Sequence, residues 1–144
     1  MASMELEQRI PLNAATVACA VAVLTLVPVA AHQLGLLDHL PDPPSGLFDS
    51  DRITESKTAH PLGIPDSVLG LGSYAATLAL LLASRRLRIA RPLLHAKFAA
   101  DSSATAFNVV RQVVKFRRLC SWCTGTAIAT AAMVYYGRKA LRAD

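Results

Sequence analysis

Long uncharged runs alternate along this chain with short segments where polar and charged residues gather. Ala14–Ala31 (AATVACAVAVLTLVPVAA) carries no charge. With its flanks it is long enough to cross about 30 Å of hydrocarbon at about 1.5 Å per residue. It predicts a membrane span over about 14–33, kinked near its far end by Pro28. Asp66–Ser84 (DSVLGLGSYAATLALLLAS) predicts a second span over about 66–84, started by Pro65 and Asp66. Its Gly70, Gly72, Ser73, Ala75 and Ala76 are small enough for another helix to approach closely. Between the two lies a polar connection, 34–65, punctuated by Pro41, Pro43, Pro44, Pro61 and Pro65. Within it the pattern predicts a short extension of the first helix over Leu34–Leu40 and a short helix over Arg52–Ala59 capped by Asp51.

The next stretch mixes the two patterns. Lys97, Asp101, Thr105, Asn108, Gln112 and Lys115 recur at steps of three or four, and apolar residues fill the remaining positions. This is one polar face of a helix, with Lys97 and Asp101 spaced to pair. A third span over about 92–115, its polar stripe turned into a bundle, fits best. An amphipathic helix lying in the interface is the competing reading. A fourth span follows over about 119–137, ending in Tyr135, Tyr136 and the cations Arg138, Lys139 and Arg142. The expected fold is therefore all-α: one polytopic membrane domain, a four-helix bundle with a long extracytoplasmic loop between helices 1 and 2.

Composition agrees: 53% hydrophobic, 17% charged, mean hydropathy +0.37, too apolar for an ordinary soluble domain. The net charge of +5 does not form the aromatic-interleaved basic stripe of a nucleic-acid binder, and no nucleic-acid partner is expected. The cations collect instead at the ends of apolar runs. Arg85, Arg86, Arg88 and Arg91 place the connection between spans 2 and 3 in the cytoplasm. An even number of spans then puts both termini there, with eight Lys and Arg inside against five outside. A secretory signal cleaved after Val29-Ala30-Ala31 is the alternative for the first run, but Glu5 and Glu7 in the leading segment argue against it.

Of three cysteines, Cys19 lies within an apolar run and reads as packing. Cys120 and Cys123 stand three apart at the head of the fourth run, just after Arg117 and Arg118. On a helix both thiols share a face in the first turn. A helix start and nearby cations favour the thiolate, which is the chemistry of a dithiol that cycles with a disulfide. Two inert buried thiols are the plainer alternative. A c-type haem would need histidine where Thr124 stands. A zinc site at the pair would need two more ligands, and His32, His39 and His60 show no spacing signature, so no metal is expected.

The chain resembles the vitamin K epoxide reductase family, specifically a bacterial homologue. Three features carry the resemblance, which covers roughly Val17 to Tyr136. They are the four spans with a long first loop, the Leu62-Gly63-Ile64-Pro65 segment opening the second span, and Cys-X-X-Cys opening the fourth. It implies a quinone-coupled thiol/disulfide oxidoreductase of the bacterial inner membrane, surrounded by lipid. It implies a quinone of ubiquinone or menaquinone type and a thioredoxin-fold partner in the extracytoplasmic space. Cys123 would meet the quinone and Cys120 would exchange disulfides. Asp66, Ser67, Gly70 and Gly125 would border the quinone, and Arg117 and Arg118 would stabilise thiolate charge. The chain also departs from the family. Its loop has no cysteine, and Ser50-Asp51 stands where the family has Cys-Asp, so the shuttle pair is missing. Asp66 replaces an asparagine and Ala127 a tyrosine of the animal members, which argues against vitamin K epoxide itself as substrate. The alternative reading is a redox-inactive membrane subunit that binds quinone or lipid.

Overall fold

The computed structural model describes residues 2–142, and those residues fold into four long helices and a folded connection. Helix α1 is Ala2–Gln33. The connection holds one short helix, α2 (Ser50–Thr54), and two 3-10 turns, Lys57–Ala59 and Pro61–Gly63. Then come α3 (Asp66–Ala83), α4 (Ala90–Arg111), a π-helical turn over Gln112–Phe116, and α5 (Ser121–Arg142). Among the described residues, two helices are long and apolar enough to cross a membrane: α1 and α3.

The expected 34–65 connection matches the gap between α1 and α3, and α3 starts after Pro65 as its sequence signals. Other boundaries moved. The first helix begins well before Ala14 and runs through Pro28 without interruption. Leu34–Leu40 is not helical: α1 stops at Gln33, and Gly35 follows in the left-handed region at φ 81. The expected 52–59 helix is instead α2, capped by Asp49 rather than Asp51, with the Asp49 side chain accepting the Arg52 amide. It breaks at Glu55 and resumes as a 3-10 turn.

The four long helices pack as a ring. Helix α1 lies between α3 and α5, and α4 closes the ring against the same two. The inward face of α1 is built from small residues at helical spacing: Ala15, Ala18, Cys19 and Ala22, flanked by Leu12 and Leu26. Its outward face is Val17, Val21, Leu24 and Val27, all exposed. Both faces are apolar, so the core is distinguished by residue size, as expected where close backbone approach rather than water exclusion joins helices. Gly125 lets α5 approach Thr25, where an added Cβ would lie 3.3 Å from the threonine Cγ2. Gly137 is more confined: a Cβ there would stand 2.3 Å from Cζ of the buried Phe98 on α4. Cys19 is fully buried, its thiol directed at the Tyr74 carbonyl.

The polar stripe of α4 turns inward. Asp101 and Gln112 are buried. Lys97 pairs with Asp101 at 2.9 Å, and Asp101 also accepts from Ser73 and Thr77 of α3. Leu93, Phe107 and Val110 of the same helix are exposed. Lys115 leaves the stripe and is exposed, because the π-turn advances the chain by more residues per turn than an α-helix does.

Candidate functional site

Cys120 is the residue immediately before α5, and it caps that helix. Its carbonyl accepts the Thr124 amide, and its sulfur accepts the Cys123 amide at 3.2 Å. An N-cap side chain normally satisfies one of the free amides of the first turn; here a thiol does so, at the positive end of the helix dipole. The Cys120 amide donates to Gln112 Oε1 at 2.9 Å. The chain reverses between Gln112 and Cys120 through Arg117, in the left-handed region at φ 54.

The loop reaches over this helix start. Leu119 pairs with it as a bridge: its amide donates to the Leu47 carbonyl at 2.7 Å, and its carbonyl accepts the Asp49 amide at 3.0 Å. Ser50, fully buried, begins α2 directly above. Its hydroxyl donates to Asp42 and accepts the Ser121 amide at 3.1 Å, and the Ser121 hydroxyl donates to the same Asp42 oxygen at 2.6 Å. The only tryptophan, Trp122, adds an indole bond to the Pro41 carbonyl at 3.0 Å. Cys120 is consequently wholly enclosed.

This cover sets the acidity of Asp42. At Asp42 burial works upward, but the hydroxyls and amides of Ser121 and Ser50 outweigh it and keep the carboxyl below the usual carboxylate range. A depressed carboxyl contributes stability that is complete above its unfolded value, near 3.9, and is lost as pH falls through the lower folded value. Acidification below about pH 4 should therefore release the cover from α5. The reporter is Trp122, whose emission should shift to the red in that range. Asp42→Asn should show the exposed emission already at neutral pH. An acid-independent emission in the wild-type protein would refute this role for Asp42.

On the other side of the pair lies a cavity of about 400 Å³, and Cys123 lines it. Its walls are largely apolar and aromatic, with Leu26, Leu69, Tyr74 and Phe107 among them. Polar groups sit at two places. Ser73 and Asp101 belong to the buried lysine–aspartate cluster. Asp66, Asn108 and Arg111 form the other group, with Arg111 donating to Asn108 Oδ1 at 2.7 Å and standing 3.7 Å from Asp66. Arg111 Nε is buried without a partner.

Of the residues singled out from sequence, Cys123, Asp66, Ser67 and Gly70 line this cavity. Gly125 faces α1 instead. Arg118 turns to Asp49 at 3.8 Å, and Arg117 is exposed at the reversal. Sequence reasoning missed Asp42, Ser121 and Gln33. Gln33 joins α1 to Asp66, to Ser67 and to the Thr54 carbonyl. A polar residue closing an apolar run was its only signal. Asp42 offered none within its proline-rich surroundings.

The structure thus combines an all-α bundle, two helices of membrane length, a thiol pair at a helix start and an apolar cavity beside it. Residues 13–137 match the vitamin K epoxide reductase family, and the chain belongs to that family. Its members are integral membrane, quinone-linked thiol oxidoreductases that work with thioredoxin-like partners. No curated protein matches the chain in a direct sequence comparison.

Proposed function

We propose that this protein is a quinone-coupled thiol–disulfide oxidoreductase whose redox pair is Cys120 and Cys123. The observation that carries the reading is the division of labour between the two sulfurs. Cys123 lines the apolar cavity, while Cys120 caps α5 under the loop. The cavity suits a quinone ring: its walls are apolar, and the unpartnered Arg111 Nε would be satisfied by a ring carbonyl. Asn108, Arg111 and Asp66 would hold the polar edge, with Leu26, Leu69 and Phe107 against the ring and tail. A bound quinone supplies an acceptor for the two electrons and two protons released when the dithiol closes to a disulfide. The chain's own part is to keep Cys120 capping α5, hold Cys123 against the cavity, and exclude water from both. The assay is quinone reduction by dithiothreitol with the full chain in detergent. Cys120→Ser and Cys123→Ser should each lower the rate by at least about a thousandfold, as expected when one member of a catalytic pair is lost. A wild-type protein that binds quinone but turns none over would favour the inactive-subunit reading, to which the absence of loop cysteines lends support.

The proposal includes four spans, with both termini in the cytoplasm of a bacterium and the 34–65 loop outside. Support comes from α4 and α5, which at 22 residues each reach about 33 Å. The polar face of α4 points into the bundle, whereas an interfacial helix would turn that face to water. In intact cells, with native cysteines removed, an impermeant maleimide should label a cysteine at Ser45 and not one at Arg88. The opposite pattern would invert the topology.

A further inference from the structure

A second cluster of metal-ligating side chains lies away from the dithiol and has no part in the mechanism above. It joins the end of α1 to α2. His32 is the penultimate residue of α1, and its side chain is 3% exposed. Its Nδ1 is 2.9 Å from the Leu37 carbonyl. A carbonyl can only accept, so Nδ1 carries the proton, and in the neutral ring Nε2 holds the lone pair. That Nε2 is buried with no hydrogen-bond partner, yet two carboxylates face it: Asp51 Oδ1 at 3.4 Å and Glu55 Oε1 at 3.1 Å. Two anions and a lone pair directed at one point repel unless a cation, or a proton on Nε2, sits between them.

We propose that His32 Nε2, Asp51 and Glu55 bind a divalent cation of the zinc class. Several features agree. The three ligand atoms all lie within 4.8 Å of one another. Ligands at about 2.0–2.1 Å around a tetrahedral ion stand about 3.3–3.4 Å apart, close to the two nitrogen–oxygen separations. A histidine with its other nitrogen bound to a carbonyl is the usual orientation of a metal-ligating imidazole. Asp51 and Glu55 are four apart, so one helical turn brings them to the same side. Asp51 is itself held by the Leu40 amide at 2.8 Å, and His39, 84% exposed, stands 3.1 Å from its second oxygen. One imidazole with two carboxylates is a borderline donor set, suited to zinc rather than to magnesium or calcium. Water would complete the shell. Sequence spacing could not reveal the site, because His32 closes a long helix and both carboxylates come from the loop. The ion would fasten α2, whose first residue Ser50 covers Cys120, to the rigid end of α1.

The test uses the full chain in detergent with Cys120→Ser and Cys123→Ser, so that the thiol pair cannot bind metal. Zinc is titrated against a chromophoric chelator. One equivalent should bind saturably, and thermal stability should rise with zinc, as for any ligand that binds the folded state. Glu55→Gln, at a side chain 62% exposed and outside the packed core, should weaken zinc binding at least tenfold and abolish the thermal shift; His32→Gln should do the same. Lack of saturable binding, or a Glu55→Gln loss smaller than tenfold, would overturn the site and leave a protonated His32 bridging two carboxylates.

Discussion

Cys123→Ser is expected to leave a partner protein attached to Cys120 as a mixed disulfide. Disulfide exchange proceeds by in-line attack of one thiolate on a sulfur, and the adduct is normally resolved by the neighbouring thiol. Removing Cys123 removes the resolving group. Because the loop carries no cysteine, exchange must take place at Cys120 itself: in this variant the Cys120 thiolate attacks the disulfide of an oxidised partner, one partner sulfur bonds to Cys120 and the other leaves as a thiolate. Cys120 is completely buried beneath Ser50 and Asp42, so this exchange requires the 41–54 segment to lift. The adduct should appear on non-reducing gels of the membrane fraction, with a thioredoxin-fold protein identified by mass spectrometry. It should accumulate faster when Asp42→Ala is combined with Cys123→Ser, since the carboxylate that joins Ser50 to Ser121 is then gone. Absence of any adduct in both variants, together with no quinone reduction by the wild type, would remove the enzyme reading.

Ser50→Cys is expected to oxidise spontaneously to a disulfide with Cys120. The Ser50 hydroxyl is buried beside Cys120 and accepts the amide of the next residue, Ser121. A thiol at this position therefore faces the sulfur that caps α5. Non-reducing peptide mapping should find the 50–120 link in most of the protein, with Cys123 left free. The variant should also protect the loop: Trp122 emission should no longer respond to acid until a reductant is added. A free thiol at position 50 under oxidising conditions would mean that the loop does not rest over Cys120.

The acid response of Asp42 and the expected trapping of a partner depend on one contact surface, and its origin separates sequence from structure. The apolar runs of α1 and α3, the start of α3 after Pro65, the Lys97–Asp101 pair and the helix start at the cysteine pair could be read directly. Each depends on neighbours within a turn or two, or on the length of an uncharged run. The same local logic failed within the loop. Leu34–Leu40 and Arg52–Ala59 have helical composition, but α1 ends at Gln33, before the left-handed Gly35, and α2 is held by Asp49. Lys115 fits the α4 stripe by periodicity, and only the π-turn turned it outward.

Sequence alone determined the class of chain and where its thiol pair stands, because hydrophobic length and cysteine spacing are one-dimensional quantities. Tertiary structure decided what surrounds the pair. Asp42, Ser50 and Ser121 meet across 79 residues of chain, and His32 meets Asp51 and Glu55 across two elements. Arg118, two residues before Cys120, turns instead to Asp49. Charges close along the chain need not be close in space, and a buried carboxylate or imidazole acquires its role only when distant segments bring it partners and remove the water.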